Sequence, residues 1–464
     1  MIFNLNPNNI AGLSADERAA LAELINIYTA HLYKNEQKER YYEGNIPLRE
    51  VNLGIALPET FHGLEIGCAW GAKAVDVLAA RCMFDGFVGA DGEDVGELSR
   101  IMEGNRIVPE AAKAFRDELK FGCTFATLSR DPKIKAKIRF HSPKTAAARW
   151  SGEKGRIDCG FAIIDTAPDN SSETSYSPSL VNFYTDNAII VLRRENYRWT
   201  AERHRHKMGR PLMEPLIWNA TSSKPFGRSR IKEPIRRLIQ GYVRTMANAT
   251  IGLEFATSPQ KYLLGVSDEQ YDSVINEKFR RYVGSILAAT YNPDTGEKPD
   301  FGQLPQGSIS PHVEQMRLLA TQFSAATGLP VTDTGVINDA NPTSSDAIEA
   351  QTKTLVTMAE ELNAGNGEAL KNIALMALAI ANDTSIEGLP EEKKNIVAHF
   401  KNPAMPSVAA TADAAIKIAT ARQSFAQTDT FLEMIGFGQA DIRRIKAQEQ
   451  RVRGLALVEE LGAE

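Results

Sequence analysis

The sequence predicts an α+β chain, mainly helical, with its strands gathered into one continuous stretch. Three observations predict this. Apolar residues recur at three and four positions over most of the chain before Leu119 and after Gly227, as on one face of a helix. Between Leu119 and Pro225 the pattern changes to short runs with partial polar and apolar alternation. Clusters of Gly, Pro, Asn, Asp and Ser separate those runs, notably Ala167-Pro-Asp-Asn-Ser-Ser172.

The elements follow in order. Ser14-Ala-Asp-Glu17 is a capping box. The helix behind it carries Leu21, Leu24, Ile25, Tyr28 and Leu32 on one face and is expected to end near Asn35. An extended, turn-bearing stretch follows. Further helices are expected over Trp70–Met83, Glu93–Asn105 and Pro109–Glu118. Strands are expected over Lys135–His141, Ile157–Asp165, Leu180–Tyr184, Ala188–Arg193 and Tyr197–Arg203, forming an antiparallel sandwich or open barrel. Pro234 fits the first turn of a long helix with Ile235, Leu238, Ile239, Tyr242 and Met246 on one face. A short irregular piece, Ala256–Gly265, separates it from a helix capped by Ser267-Asp-Glu-Gln270. From Asn341-Pro-Thr-Ser-Ser-Asp-Ala347 onward only helices are expected, with breaks near Asn363–Gly367, Asn382–Pro390 and Asn402–Pro406.

The stretch from Gly296 to Gly335 stands apart. Phe301 to Ser310 is a loop by composition and holds no charged residue. Ser310-Pro311 then reads as the cap and first turn of a helix with Val313, Met316, Leu319, Phe323 and Ala326 on its apolar face. Gly328 and Pro330 stop it. By itself this is an ordinary surface turn before a core helix.

The bulk numbers set outer bounds. A chain of 464 residues is roughly three domains long. Its 43% hydrophobic and 24% charged content suits globular cores. No run of about 18 apolar residues exists, so no membrane span is expected. The N-terminus lacks the basic and apolar regions of a signal peptide. Cys68, Cys82, Cys123 and Cys159 lie far apart without a CxxC pair, which predicts reduced, buried thiols and no zinc site. The net charge of −5 is unevenly spread. Ile190–Thr245 holds 14 Lys and Arg against 4 Asp and Glu, a local +10, while the remainder holds 39 against 54, a −15. Such a segment suits a polyanion partner or a seam with acidic surface of another copy.

Catalytic signatures are missing. There is no GxxxxGK[ST] loop, GxSxG or HExxH, and Gly365-Asn-Gly367 lacks the rest of a dinucleotide fingerprint. His204 and His206 share one side of a strand, but Arg203, Arg205 and Lys207 around them oppose a cation, so a basic surface is expected and no metal. Asp91, Glu93, Asp94 and Glu97 read as a solvated helix start. No enzyme activity and no cofactor are expected.

Six phrases, in order over most of the chain, resemble the portal proteins of tailed bacteriophages, of the siphophage type from phages of Gram-positive hosts. They are Tyr41-Tyr-Glu-Gly44, Val77-Leu-Ala-Ala-Arg-Cys-Met-Phe-Asp-Gly-Phe87, Ile101-Met-Glu-Gly-Asn-Arg-Ile107, Gly227-Arg-Ser-Arg-Ile231, Leu304 to Pro330, and Asn341-Pro-Thr-Ser-Ser-Asp-Ala-Ile348. The resemblance implies a ring of identical subunits, expected to be a dodecamer, at one capsid vertex of the virion. Double-stranded DNA is packaged and ejected through it, and it is assembled in the host cytoplasm. The implied partners are the large terminase, a head-completion or adaptor protein, and scaffold and major capsid proteins, with no membrane. It also implies a division into a wing (1–226), a two-helix stem with a short clip (227–300), a tunnel loop (301–310), a spine helix belonging to the wing (311–340) and an all-helical crown (341–464). The DNA-facing loop residues would be Gln303, Leu304, Gln306, Ser308 and Ser310. Arg230, Arg236 and Arg237 would lie in the stem or at a subunit interface, against the plainer reading of a solvated helix face. Two alternatives remain: a nucleic-acid-processing enzyme that uses the basic segment, and another helical minor capsid or scaffold protein.

Overall fold

The structure, a computed structural model, describes residues 5–46, 66–89, 96–168, 176–195, 198–257, 261–264, 296, 300–303, 308–335, 345–404 and 408–461. The expected helix after Ser267, the acidic positions Asp91, Glu93 and Asp94, and Leu304 and Gln306 lie outside them.

Helix α1 (Ala15–Glu43) opens with the expected capping box: Ser14 Oγ accepts from Glu17 N, and the Glu17 carboxylate accepts from Ser14 N. It runs past Asn35 to Gly44, which takes the left-handed conformation at φ 77°. Asn35 does not end the helix because a tertiary contact absorbs its side chain, which is buried and donates from Nδ2 to Pro143 O at 3.5 Å. Next come α2 (Trp70–Ala79), strand β1 (Phe84–Gly89), α3 (Gly96–Gly104) and α4 (Ile107–Phe121).

The central stretch is antiparallel, as its alternation predicts. Strands β2 (Cys123–Asp131), β3 (Lys135–His141) and β9 (Met213–Ile217) form a three-stranded sheet in the order β3-β2-β9. Strands β4 (Ala146–Ser151), β5 (Arg156–Pro168), β6 (Tyr176–Tyr184), β7 (Ala188–Glu195) and β8 (Arg198–Arg205) form a meander in sequence order. Strand β2 escaped the sequence pattern because its first six residues are all buried, which leaves nothing to alternate.

The meander is covered on both faces. Phe161, Ile163, Val181, Phe183, Ile190 and Leu192 pack with Leu21, Leu24 and Tyr28 of α1. Ala162, Tyr184 and Ile189 face the larger core with Phe125 and Met213 of the other sheet. Strand β5 changes parity at a bulge: Arg149 and Trp150 stand opposite Cys159 and Ile157, with Asp158 as the extra residue. Ile157 therefore joins the larger core while Cys159 joins the α1 side.

Beyond the sheets come α5 (Glu233–Thr257), β10 (Lys261–Leu264), β11 (Asp300–Gln303) and α6 (Ser310–Thr327). Helix α7 (Ser345–Ala381) follows, then the short α8 (Glu391–Lys394) and β12 (Ile396–Phe400). The chain closes with α9 (Val408–Ala421), α10 (Asp429–Ile435) and α11 (Gln439–Leu461).

Two expectations are corrected by these elements. Helix α7 is unbroken over Asn363–Gly367 because it is embedded in the larger core. Ile373 to Ile380 are buried without exception, and Asn366 is buried against α4. Nor is the C-terminal part all-helical. Strand β12 pairs antiparallel with β1, from Phe84 opposite Phe400 to Gly89 opposite Ile396. Phe400 packs edge-on to Phe84 and near Phe115, so the apolar pairing partner lies more than three hundred residues away in sequence.

Candidate functional site

A two-limbed arm is the part of the molecule that the uncharged stretch belongs to. The chain leaves by α5 and returns by α6, and three contacts fix their relation. Arg230, just before α5, reaches Thr327 at the end of α6. Further along, Gly241 of α5 faces Leu319 of α6, so close that a Cβ there would stand 3.3 Å from the leucine methyl. Beyond the helices, β10 pairs antiparallel with β11, with Lys261 opposite Gln303 and Leu264 opposite Asp300. The two limbs are therefore antiparallel along the arm.

Pro234 does not disturb α5. In the first turn its missing N–H has no intrahelical partner to lose. The uncharged loop is shorter than its composition implies, since Gly302 and Gln303 belong to β11. Ser310 is the first residue of α6 rather than its cap. Its N–H donates to Ser308 Oγ at 3.2 Å, and both serines are exposed.

An aromatic clamp roots the arm in the core. Trp70, the first residue of α2, lies 4.4 Å from Tyr242 of α5 and is stacked 4.8 Å from Phe323 of α6, centroid to centroid. Its indole N–H donates to Thr334 O at 3.1 Å, in the single turn Val331–Thr334 that follows α6. One side chain thus ties both limbs to the body.

The three arginines separate. Arg230 is buried, and its guanidinium donates to Ala74 O of α2 and, at 2.7 Å, to Thr327 O, with Met358 Sδ 3.5 Å away. Burial pulls its pKa down to about 10. Arg230 thus acts within the subunit as a buried cation joining α2, α6 and α7. Arg236 is half-buried, donates to Ile231 O at 3.0 Å and lies 6.0 Å from the Tyr41 ring centre. Arg237 is exposed and pairs with Glu233 at 3.0 Å, one turn earlier on the same helix.

His204 and His206 do not converge on a metal. His204 Nε2 lies 3.3 Å from Glu202, whereas His206 Nδ1 accepts from Met208 N. Among the described residues no group of three or more His, Cys, Asp or Glu could hold a metal ion. All four cysteines are free and buried. No helix among the described residues is long and apolar enough to cross a membrane.

Sequence reasoning missed the Trp70 clamp and two buried carboxylates. Glu118 on α4 is fully buried, and Asn366 Nδ2 donates to it at 2.8 Å. Glu214 on β9 is buried, pairs with Arg210 and accepts from Asn372 Nδ2 at 2.8 Å. The signal for Glu118 was its phase: it falls on the stripe of Ala111, Ala114 and Phe115, all buried.

These features describe an α+β protein with a two-limbed antiparallel arm rooted in its core. Residues 21–454 match the family model described as phage portal protein, SPP1 Gp6-like, and the chain belongs to that family. It is accordingly a structural portal protein, not an enzyme. It is 23% identical to the portal protein of Mycobacterium phage D29 over 96% of this chain and 91% of the relative. It is 24% identical to the portal protein of Mycobacterium phage L5 over 82% of this chain and 77% of the relative. Among solved structures it is similar to a chain of the neck of a native gene transfer agent particle computed with C12 symmetry. There the identity is 13% and the TM-score 0.45, covering 79% of this chain and 89% of that chain.

Proposed function

We propose that the chain closes into a ring of roughly a dozen copies at one capsid vertex and forms the channel through which double-stranded DNA enters and leaves. One observation carries this reading: the arm is antiparallel, well rooted, and exposes large apolar side chains among its polar ones. Leu253 of α5, Leu264 of β10, and Val313 and Leu318 of α6 are all exposed, at 40% or more of their surface. An isolated molecule gains nothing by exposing large apolar side chains along one arm. Neighbouring arms in a ring would cover them.

In this reading residues 1–226 and 311–340 form the wing, 227–300 the stem and clip, and 301–310 the loop that rims the channel. Residues 341–464 form the crown, entered through α7. Gln303, Leu304, Gln306, Ser308 and Ser310 offer DNA amide, hydroxyl and apolar contacts without a cation. That suits a conduit, since a basic groove would hold phosphates tightly and with strong salt dependence. Arg237, exposed on α5, stays available to a neighbouring copy. The large terminase, an adaptor protein, and scaffold and capsid proteins are the partners this role requires.

Light scattering and negative-stain microscopy test the ring. The expected particle has roughly twelve times the 51.0 kDa of the chain and a central hole. A protein that remains monomeric at high concentration and in the presence of scaffold protein would overturn the proposal.

A further inference from the structure

Helix α7 is the long element that leads from the arm's root into the C-terminal part, and it meets α4 at one buried polar pair. Glu118 and Asn366 are both fully buried. Asn366 Nδ2 donates to Glu118 Oε2 at 2.8 Å, which leaves Glu118 Oε1 and Asn366 Oδ1 buried with no hydrogen-bond partner among the described residues. Both atoms are acceptors if Glu118 is ionised, so neither can serve the other. Placing one proton on the carboxyl changes that: the O–H donates, the amide carbonyl accepts, and acid and amide form a two-way pair.

The charged neighbours do not neutralise Glu118 instead. Cys82, after α2, and Cys123, at the start of β2, are the titratable groups that feel its charge, and burial pushes both thiols up to about 12, so they are neutral. Lys38 of α1 faces Cys123, but its ammonium donates to Asn35 Oδ1 and, at 2.8 Å, to Phe121 O. Arg230 faces Cys82, and its donors go to Ala74 O and Thr327 O. An ionised Glu118 would be a buried charge without a counterion, which is strongly disfavoured.

We propose that Glu118 is a neutral carboxylic acid whose proton bridges to Asn366, and that this proton is a pH-sensitive latch holding α7 against α4. The same burial raises its pKa from the usual 4.5 to about 8, outweighing the Asn366 hydrogen bond, which lowers it. The sign follows. A carboxyl that binds its proton more tightly in the folded state contributes stability that is full below pH 4.5. That contribution declines as pH rises and is gone above about 8. Lys38 acts in a different window and with opposite sign. Burial lowers its pKa to about 8 from 10.5, so stability rises as pH climbs from about 8 toward 10.5. Glu214, bonded to Asn372 two turns further along α7, is also raised by burial, so its effect must be separated by mutation.

The test uses full-length protein and the Glu118→Gln variant, whose amide keeps a donor at every pH. Infrared difference spectra at pH 6 and pH 9 are expected to show the carbonyl stretch of a protonated acid in wild type, lost at pH 9 and missing from the variant. Protection factors over Leu362–Ile380, which divide out the base catalysis of amide exchange, are expected to fall in wild type above pH 8 and to stay flat in the variant. If that variant cannot be purified folded, the band is assigned with Glu214→Gln and Asp117→Asn proteins, the other two carboxyls among the described residues that burial raises; it is expected to persist in both, and its loss from either overturns the assignment to Glu118. A wild-type spectrum without that band at pH 6, or identical pH profiles for both proteins, overturns the latch.

Discussion

At the scale of single residues, the strongest constraint is where a buried polar group finds its partner. Arg230 shows this. Sequence places it in a basic segment beside Arg236 and Arg237, which suggests surface. The fold buries it and gives its donors to the main chain of two helices. Replacing it with Met keeps the length of the stem but strips Thr327 O and Ala74 O of that donor. Each buried group left unpaired costs about 1–3 kcal/mol. Arg230→Met is therefore expected to lower the unfolding free energy, read from urea titration, by an amount in that range, whereas Arg237→Met changes it little, because an exposed pair within one helix contributes only about 0.3–0.5 kcal/mol. Equal effects at the two positions would refute the assignment. Nothing in the local sequence separates these arginines; only the packing around each one does.

Elements are held by close approaches that glycine permits. Helix α2 crosses α1 at Gly71, where a Cβ would lie 1.9 Å from Tyr41 O. No rotamer relieves a backbone clash, so Gly71→Ala must push the two helices apart. Overpacking of this kind costs about 1–3 kcal/mol or more. The same change also shifts Trp70, and with it the clamp on α5 and α6. Gly252 in α5 is the contrast, since a Cβ added there would meet nothing within 4 Å among the described residues. There alanine should stabilise by up to about 1 kcal/mol through helix propensity. Thermal unfolding of both variants checks the pair, and a Gly71→Ala protein as stable as wild type would contradict so close a crossing. Helix starts were legible because capping is local, as at Ser14. Helix ends and breaks were less so: Asn35 and the Asn363–Gly367 run resemble stops, yet tertiary partners carry the helix through both.

For the whole molecule, the proposed channel role rests on the arm. Its loop carries no charge, and the proposal is that this keeps DNA moving. Gln303→Arg with Gln306→Arg is expected to leave ring assembly intact and to slow packaging in a reconstituted translocation assay, most at low salt. Packaging at the wild-type rate in low salt would show that this loop does not rim the channel. The antiparallel course of the arm and its exposed leucines and valine were beyond reach of periodicity, which reports one face of one helix and not what lies against it.

By itself the sequence determined the α+β class, the antiparallel central stretch, the main helix starts, the four reduced cysteines and the order of phrases that marks the family. All are local or compositional properties, carried by a few neighbouring residues each. Only the tertiary structure decided that β12 closes on β1 and that α7 runs unbroken through the core. It also buried Arg230 and Glu118, and it set two limbs of one arm side by side. Those outcomes depend on contacts between residues far apart in the chain, and burial, which sets the energy of every polar group among them, is a property of the fold and not of the sequence window.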